Sequence, residues 1–116
     1  AGGAGLRPEW ILNISNDAWF GATSGPLQHL NLASYRAIEE GLPMVRVTPT
    51  GVSAVVDAHG RTLPGARLGL SKIGVIDQSL PPPLKPTPYS RYGELAFAVM
   101  LLVSTIIALA FLVRRT

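Results

Sequence analysis

The apolar positions of this chain change their period as they run. From Trp10 to Ser15, "WILNIS" alternates β-favouring residues and predicts a strand. From Pro26 onward the period becomes helical: Leu27, Leu30, Ala33, Ala37 and Ile38 fall on one stripe, with Gln28, Arg36, Glu39 and Glu40 opposite. Pro26 suits the first helical position, Ser24 or Gly25 can serve as cap, and Gly41 before Pro43 stops the helix. Period two then returns in three β-rich runs, "MVRVT", "VSAVVDA" and "KIGVID", with "HGRT" as a turn between the second and a weaker extended piece, "LPGARLG". Strand, long loop, helix and then consecutive strands imply a layered α/β domain whose later strands continue the sheet begun at Trp10.

The last pattern has no period at all. Leu95 to Val113, "LAFAVMLLVSTIIALAFLV", contains no charge, Pro or Gly in 19 residues, which at about 1.5 Å per residue gives roughly 28 Å of helix. That length matches a hydrocarbon core of about 30 Å, whereas a buried soluble helix of this length normally keeps one polar face. A membrane-crossing helix over 94–113 is therefore predicted, with 114–116 as a short tail. Residues 81–93, "PPPLKPTPYSRYG", form a stiff Pro-rich connector before it, and 1–80 form the α/β unit, opened by the small, flexible "AGGAGLRP". Arg114 and Arg115 on one side match Lys85 and Arg91 on the other in number, but they lie closer to the helix. Basic residues retained in the cytoplasm then put the tail inside and residues 1–93 outside. No internal repeat is visible.

Charge and cysteine usage narrow the chemistry. The formal net charge of +3 falls to +1 over residues 1–94, where eight Lys or Arg face seven Asp or Glu. No basic run is interleaved with aromatics, so nucleic acid is not an expected partner. With no Cys, the chain has no disulfide framework, no thiolate metal site and no Cys nucleophile of its own. Neither a metal nor a cofactor is expected.

Single residues then stand out. Asn16 and Asp17 open the loop "NDAWFG", where such side chains more often bond to a turn's backbone than to a substrate. His29 titrates near neutrality, but no Ser, Cys or carboxylate lies at a suggestive spacing, and a structural role is expected. Arg46 projects from an apolar strand, either lining a pocket near phosphate or carboxylates or pairing with Glu39 or Glu40. Asn13-Ile14-Ser15 matches a glycosylation pattern, discounted because it lies within a predicted buried strand.

"NISNDAWFG", then "GPLQHLNLASYRAIEEGLPMVRVTPTGVSAVVDAHGRTL", then a terminal membrane helix occur in one order. This combination resembles the C-terminal part of the apolipoprotein N-acyltransferases, membrane members of the nitrilase (carbon-nitrogen hydrolase) superfamily, from about Arg7 to Arg115. The resemblance implies the C-terminal part of a layered α-β-β-α domain followed by one transmembrane helix. It further implies a bacterial inner-membrane enzyme with its soluble part periplasmic, moving an acyl chain from a phospholipid donor to the N-terminal Cys amine of a diacylated lipoprotein. The family's Glu-Lys-Cys triad has no counterpart here. Its Cys lies upstream of the strand before "NDAWFG", and neither Lys72 and Lys85 nor Glu9, Glu39, Glu40 and Glu94 match the other two by order. The chain is therefore expected to be inactive without an upstream part of the same enzyme. Trp19 and Phe20 are implied to touch acyl chains or the membrane interface, the alternative being that both rings plug the core. With Asn16, Asp17 and Arg46 they complete the candidate substrate-binding set; no residue is assigned as catalytic. One departure is Pro49, where the family commonly has Asn before the Gly matching Gly51. A different class of function stays open: a non-catalytic, membrane-anchored nitrilase-like module for binding or scaffolding.

Overall fold

A computed structural model describes residues 6–114; the opening "AGGAG" and the tail residues Arg115 and Thr116 lie outside the described residues. Strand β1 (Ile11–Ile14) leads through a short 3₁₀ turn (Ala18–Phe20) to helix α1 (Gly25–Glu40), followed by β2 (Met44–Val47), β3 (Ser53–Val56) and β4 (Thr62–Leu68). The chain then passes through α2 (Pro88–Tyr92) into α3 (Leu95–Arg114). The four strands form one sheet in the order β1-β2-β3-β4. β1 and β2 are parallel, and the others are antiparallel to their neighbours. A parallel pair needs a crossover, and α1 supplies it.

The core lies between α1 and one face of the sheet. Leu30, Ala33 and Ala37 pack against Met44, Val52, Ala54 and Val56, with Ile11 and Leu70 at the edge. Two alanines on the contact stripe let the helix backbone approach the sheet closely. The buried stripe is narrower than the sequence suggests: Pro26 and Ser34 belong to it, while Leu27 and Ile38 lie half exposed on its flanks. At the start of α1, Ser24 occupies the cap position without a side-chain bond; the Thr23 hydroxyl accepts from the Gly25 amide instead, at 3.1 Å. At its end, Gly41 adopts the left-handed conformation at φ 65°. The Leu42 amide then reaches the Ala37 carbonyl and the Gly41 amide that of Ile38, a closure that glycine permits at no steric cost.

One expectation about the strands is corrected. "KIGVID" is not a strand, and Ile73 and Val75 are almost wholly exposed. The fourth strand is the weaker piece, "LPGARLG". Its Pro64 and Gly65 would disrupt a central strand, but β4 is at the sheet edge, where a missing donor is tolerated. The pairing of β3 with β4 shifts register between Ala54 and Val56. Period-two alternation marks what can be a strand, and an available neighbour decides which run becomes one.

The connector also differs from a free polyproline rod. It is docked on the C-terminal end of α1: the Leu84 amide donates to the Gly41 carbonyl at 2.8 Å, Arg7 donates to the carbonyls of Leu84 and Glu40, and the Thr87 hydroxyl donates to that of Glu39. The bonds to Glu39, Glu40 and Gly41 satisfy carbonyls that the end of a helix leaves unpaired. Thr87 also caps α2, accepting from the Ser90 amide at 3.0 Å, with Pro88 in the first turn.

No side chain of α3 is buried. The helix is long and apolar enough to cross a membrane, and the hydroxyls of Ser104 and Thr105 donate to the Met100 and Leu101 carbonyls, each at 2.8 Å. In an apolar medium those donors would otherwise be unsatisfied. The sheet face away from α1 is also apolar and partly open, with Leu12 52 % and Ile14 75 % exposed. On that side an open cavity of about 720 Å³ is lined by Val45, Val47, Val55, Leu68, Ile73 and Ile76, with Lys72 among the polar residues around it.

Candidate functional site

Asn13 and Arg46 are register partners on β1 and β2, and both point to the α1 side of the sheet. The Arg46 guanidinium is fully buried, and a buried cation requires a counter-charge. Asp17, three residues beyond β1, provides it: Arg46 Nη2 donates to Asp17 Oδ1 at 3.0 Å and to Oδ2 at 2.9 Å, while Nη1 donates to the Asn13 side-chain oxygen. Neither carboxylate at the end of α1 takes part, and Glu39 pairs with Arg36 instead. The ion pair of Arg46 is thus made with Asp17, a carboxylate of the loop, and not with Glu39 or Glu40.

His29 joins from the second turn of α1, its Nδ1 lying 2.8 Å from Asp17 Oδ1 and 3.1 Å from Arg46 Nη2. The Ser15 hydroxyl donates to the same carboxylate at 3.2 Å. Burial pushes the Asp17 carboxyl up, but the hydrogen bonds from His29 and Arg46, the Arg46 charge and the Ser15 hydroxyl outweigh it and hold the group below its ordinary range. Gly51 completes the enclosure, since a Cβ there would collide with the Asp17 carboxylate. Loop, helix and two strands thus meet at one buried charge.

The aromatic pair lies outside this cluster. Trp19 is 80 % exposed, and its indole donates to the Asn16 carbonyl at 2.6 Å, so the ring is no part of the core between α1 and the sheet. Phe20 is 40 % exposed and sets its ring edge-on to His29, with centroids 5.7 Å apart. A Cβ at Gly25 would come within 2.6 Å of the Phe20 ring, so the helix start accommodates this side chain. Asn16 holds its own turn, accepting from the Ala18 amide at 3.0 Å, as expected for such a residue. Asp17 departs from that expectation because its side chain reaches across to β2 and α1.

Of the five candidate residues, the structure joins Asp17 to Arg46 and leaves Asn16, Trp19 and Phe20 in the adjoining turn. A small cavity of about 200 Å³, lined by Ala18, Gly21, Ala22, Thr50, Leu70 and Ser71, lies beside that turn. His29 has no Ser, Cys or carboxylate at a suggestive spacing in the sequence, which implies a structural role. Its carboxylate partner lies 12 residues upstream across a loop, a separation that no helical or strand period encodes. Asn13 of the glycosylation pattern is likewise engaged by Arg46.

The carbon-nitrogen hydrolase family model matches residues 6–84, from before β1 to the start of the docked connector. Among curated proteins, the chain is similar to the apolipoprotein N-acyltransferase of Caulobacter vibrioides, 58% identical over 84% of this chain and 18% of the relative. It is also similar to those of Rhodopseudomonas palustris, 54% identical over 94% of this chain and 20% of the relative, and Bradyrhizobium diazoefficiens, 49% identical over 91% of this chain and 19% of the relative. The chain therefore spans about a fifth of the length of these relatives. With a match that takes in the whole sheet, α1 and the buried Asp17–Arg46 pair, the chain belongs to the carbon-nitrogen hydrolase family.

Proposed function

We propose that this chain is the C-terminal segment of a membrane N-acyltransferase that transfers a phospholipid acyl chain to the N-terminal Cys amine of diacylated lipoproteins. One observation carries the reading beyond the family. The family match ends at residue 84, but the similarity to the Rhodopseudomonas enzyme extends over 109 residues. A match of that length in a chain of 116 residues must enter α3, so the resemblance includes the combination of sheet domain and membrane helix. Residues 1–80 then form part of the extracytoplasmic layered domain, 81–93 the connector, 94–113 the span of the inner membrane, and 114–116 a cytoplasmic tail. The open apolar sheet face is covered by the rest of that domain. Trp19 and Phe20, exposed in the turn beside the buried pair, meet the acyl chain or the bilayer interface; Asp17 and Arg46, with Asn16 in the turn, hold that loop in place.

The chain has no Cys, so the thiolate that would carry the acyl group comes from the remainder of the enzyme, and the 116 residues alone should transfer nothing. The test replaces the matching segment of the Caulobacter relative with this chain and measures acyl transfer from phospholipid to a diacylated lipopeptide in detergent. Activity in the chimaera, with none from the isolated chain, supports the reading. A folded, membrane-inserted chimaera that transfers no acyl chain overturns it.

A further inference from the structure

A carboxylate bonded to Nδ1 of an imidazole fixes the tautomer in which the far nitrogen, Nε2, keeps its lone pair and can accept a proton. That arrangement is present here. Asp17 Oδ1 lies 2.8 Å from His29 Nδ1. The carboxylate is wholly buried while the His29 side chain is 37 % exposed, and Nε2 has no hydrogen-bond partner among the described residues. Asp17 is held from behind by Arg46 and Ser15, and Phe20 packs edge-on to the imidazole. Asp17 and Arg46, one of each sign, are the charged groups set against this ring, and the carboxylate is the nearer. Arg46 offers a competing tautomer, because its Nη2 lies 3.1 Å from the same Nδ1 and could donate to it. The shorter bond goes to the carboxylate, and a bond to a charged acceptor is the stronger kind.

We propose that Asp17 and His29 form a proton-accepting dyad, His29 Nε2 taking a proton from the ammonium group of the acyl acceptor. The proposal rests on the acyltransferase reading and adds a base for its second half. An N-terminal amine has a pKa of about 7.7–8.0 and arrives mostly as an ammonium ion at neutral pH, without the lone pair that attacks an acyl carbonyl. In the step assigned here one proton leaves the ammonium nitrogen for Nε2, producing a neutral amine and an imidazolium beside Asp17. The imidazolium then loses that proton to solvent through its exposed edge. No bond to carbon is made or broken. Asp17 is a positioning residue that sets the tautomer and balances the transient charge, and His29 is the group that meets the acceptor.

Two measurements test this. In the 116-residue chain in micelles, the ring nitrogens of His29 are read by ¹⁵N NMR at about pH 8, above the usual imidazole range, with His59 as the internal comparison. A protonated Nδ1 and a bare Nε2 at His29 support the dyad; the opposite tautomer overturns it. In the active chimaera, His29→Gln should lower amine acylation at pH 7 by about five- to tenfold, the shortfall of neutral amine at that pH, while donor-dependent acyl loading of the enzyme stays within about twofold. Raising the pH to about 9 should restore most of the amine acylation, because the acceptor is then neutral without help. A loss that persists at high pH, an equal loss of loading, or wild-type transfer by the variant each overturn the proposal. A wild-type chimaera inactive toward every acceptor refutes the acyltransferase reading and with it an ammonium substrate, and the tautomer measurement still decides whether the dyad exists.

Discussion

A carboxylate and a guanidinium taken fully out of water remain charged together only if each is well bonded, and breaking such a pair costs more than the pair contributes. Asp17→Asn leaves Arg46 buried without a counter-charge, and should lower stability by about 3–5 kcal/mol in a denaturant titration. The pH dependence follows from the depressed Asp17 carboxyl. Its stabilisation is complete above the unfolded value of about 3.9 and is lost as pH falls from there through the lower folded value. Asp57 acts in the same direction: burial raises its carboxyl, but the Arg61 and His59 amides and the Arg61 side chain lower it further. Melting temperatures measured from pH 6 down to about pH 2 should therefore fall below about pH 4, and the slope should be shallower in Asp17→Asn. Trp19→Ala is the contrasting case. An indole 80 % exposed should cost no more than about 0.5 kcal/mol, against the about 3–5 kcal/mol expected of a core ring; a large drop in melting temperature would show that the ring packs elsewhere. At this scale the sequence marks single residues and not their partners. Arg46 stands out as a charge on an apolar strand and Asp17 as a turn residue, but their pairing across 29 positions, and the recruitment of His29, cannot be inferred from spacing.

Among the elements, α1 was the most legible, because proline near its start and glycine at its end act through local backbone geometry. Its contact face was less so. Periodicity ranks Leu27 with Leu30, and only the position of the sheet distinguishes them: Leu30 is buried and Leu27 half exposed. Leu30→Ala should cost about 2–5 kcal/mol and Leu27→Ala under about 1 kcal/mol, read from the same urea titrations; equal costs would mean that α1 rotates in solution. The misassigned strand gives a second check. Ile73 and Val75 lie in a segment outside the sheet, so their amides should exchange with solvent rapidly, while those of Val45 and Arg46, in a strand flanked on both sides, should be protected. Protection across 72–77 would restore the strand that its alternation suggests.

For the whole molecule, the decisive boundary is between a sheet domain and a helix with no buried side chain. Val103→Lys near the middle of α3 places a charge where insertion costs about 2.5–3.5 kcal/mol, and should increase the fraction released by alkaline carbonate. With the orientation proposed above, an alkaline phosphatase fusion after Arg115 should be inactive and one at Lys85 active; the reverse pattern would invert the topology. The sequence by itself determined the features that depend on neighbours along the chain: the ends of α1, the class and order of most elements, and the apolar length of α3. Their causes are local, namely allowed backbone angles, side-chain period and total apolar length. Tertiary structure alone decided which weak run became the edge strand, that the connector docks on the end of α1, and that Asp17, Arg46 and His29 meet. Those outcomes depend on which donors, acceptors and charges the fold brings within reach, because a buried polar group must find its partner wherever the chain places one.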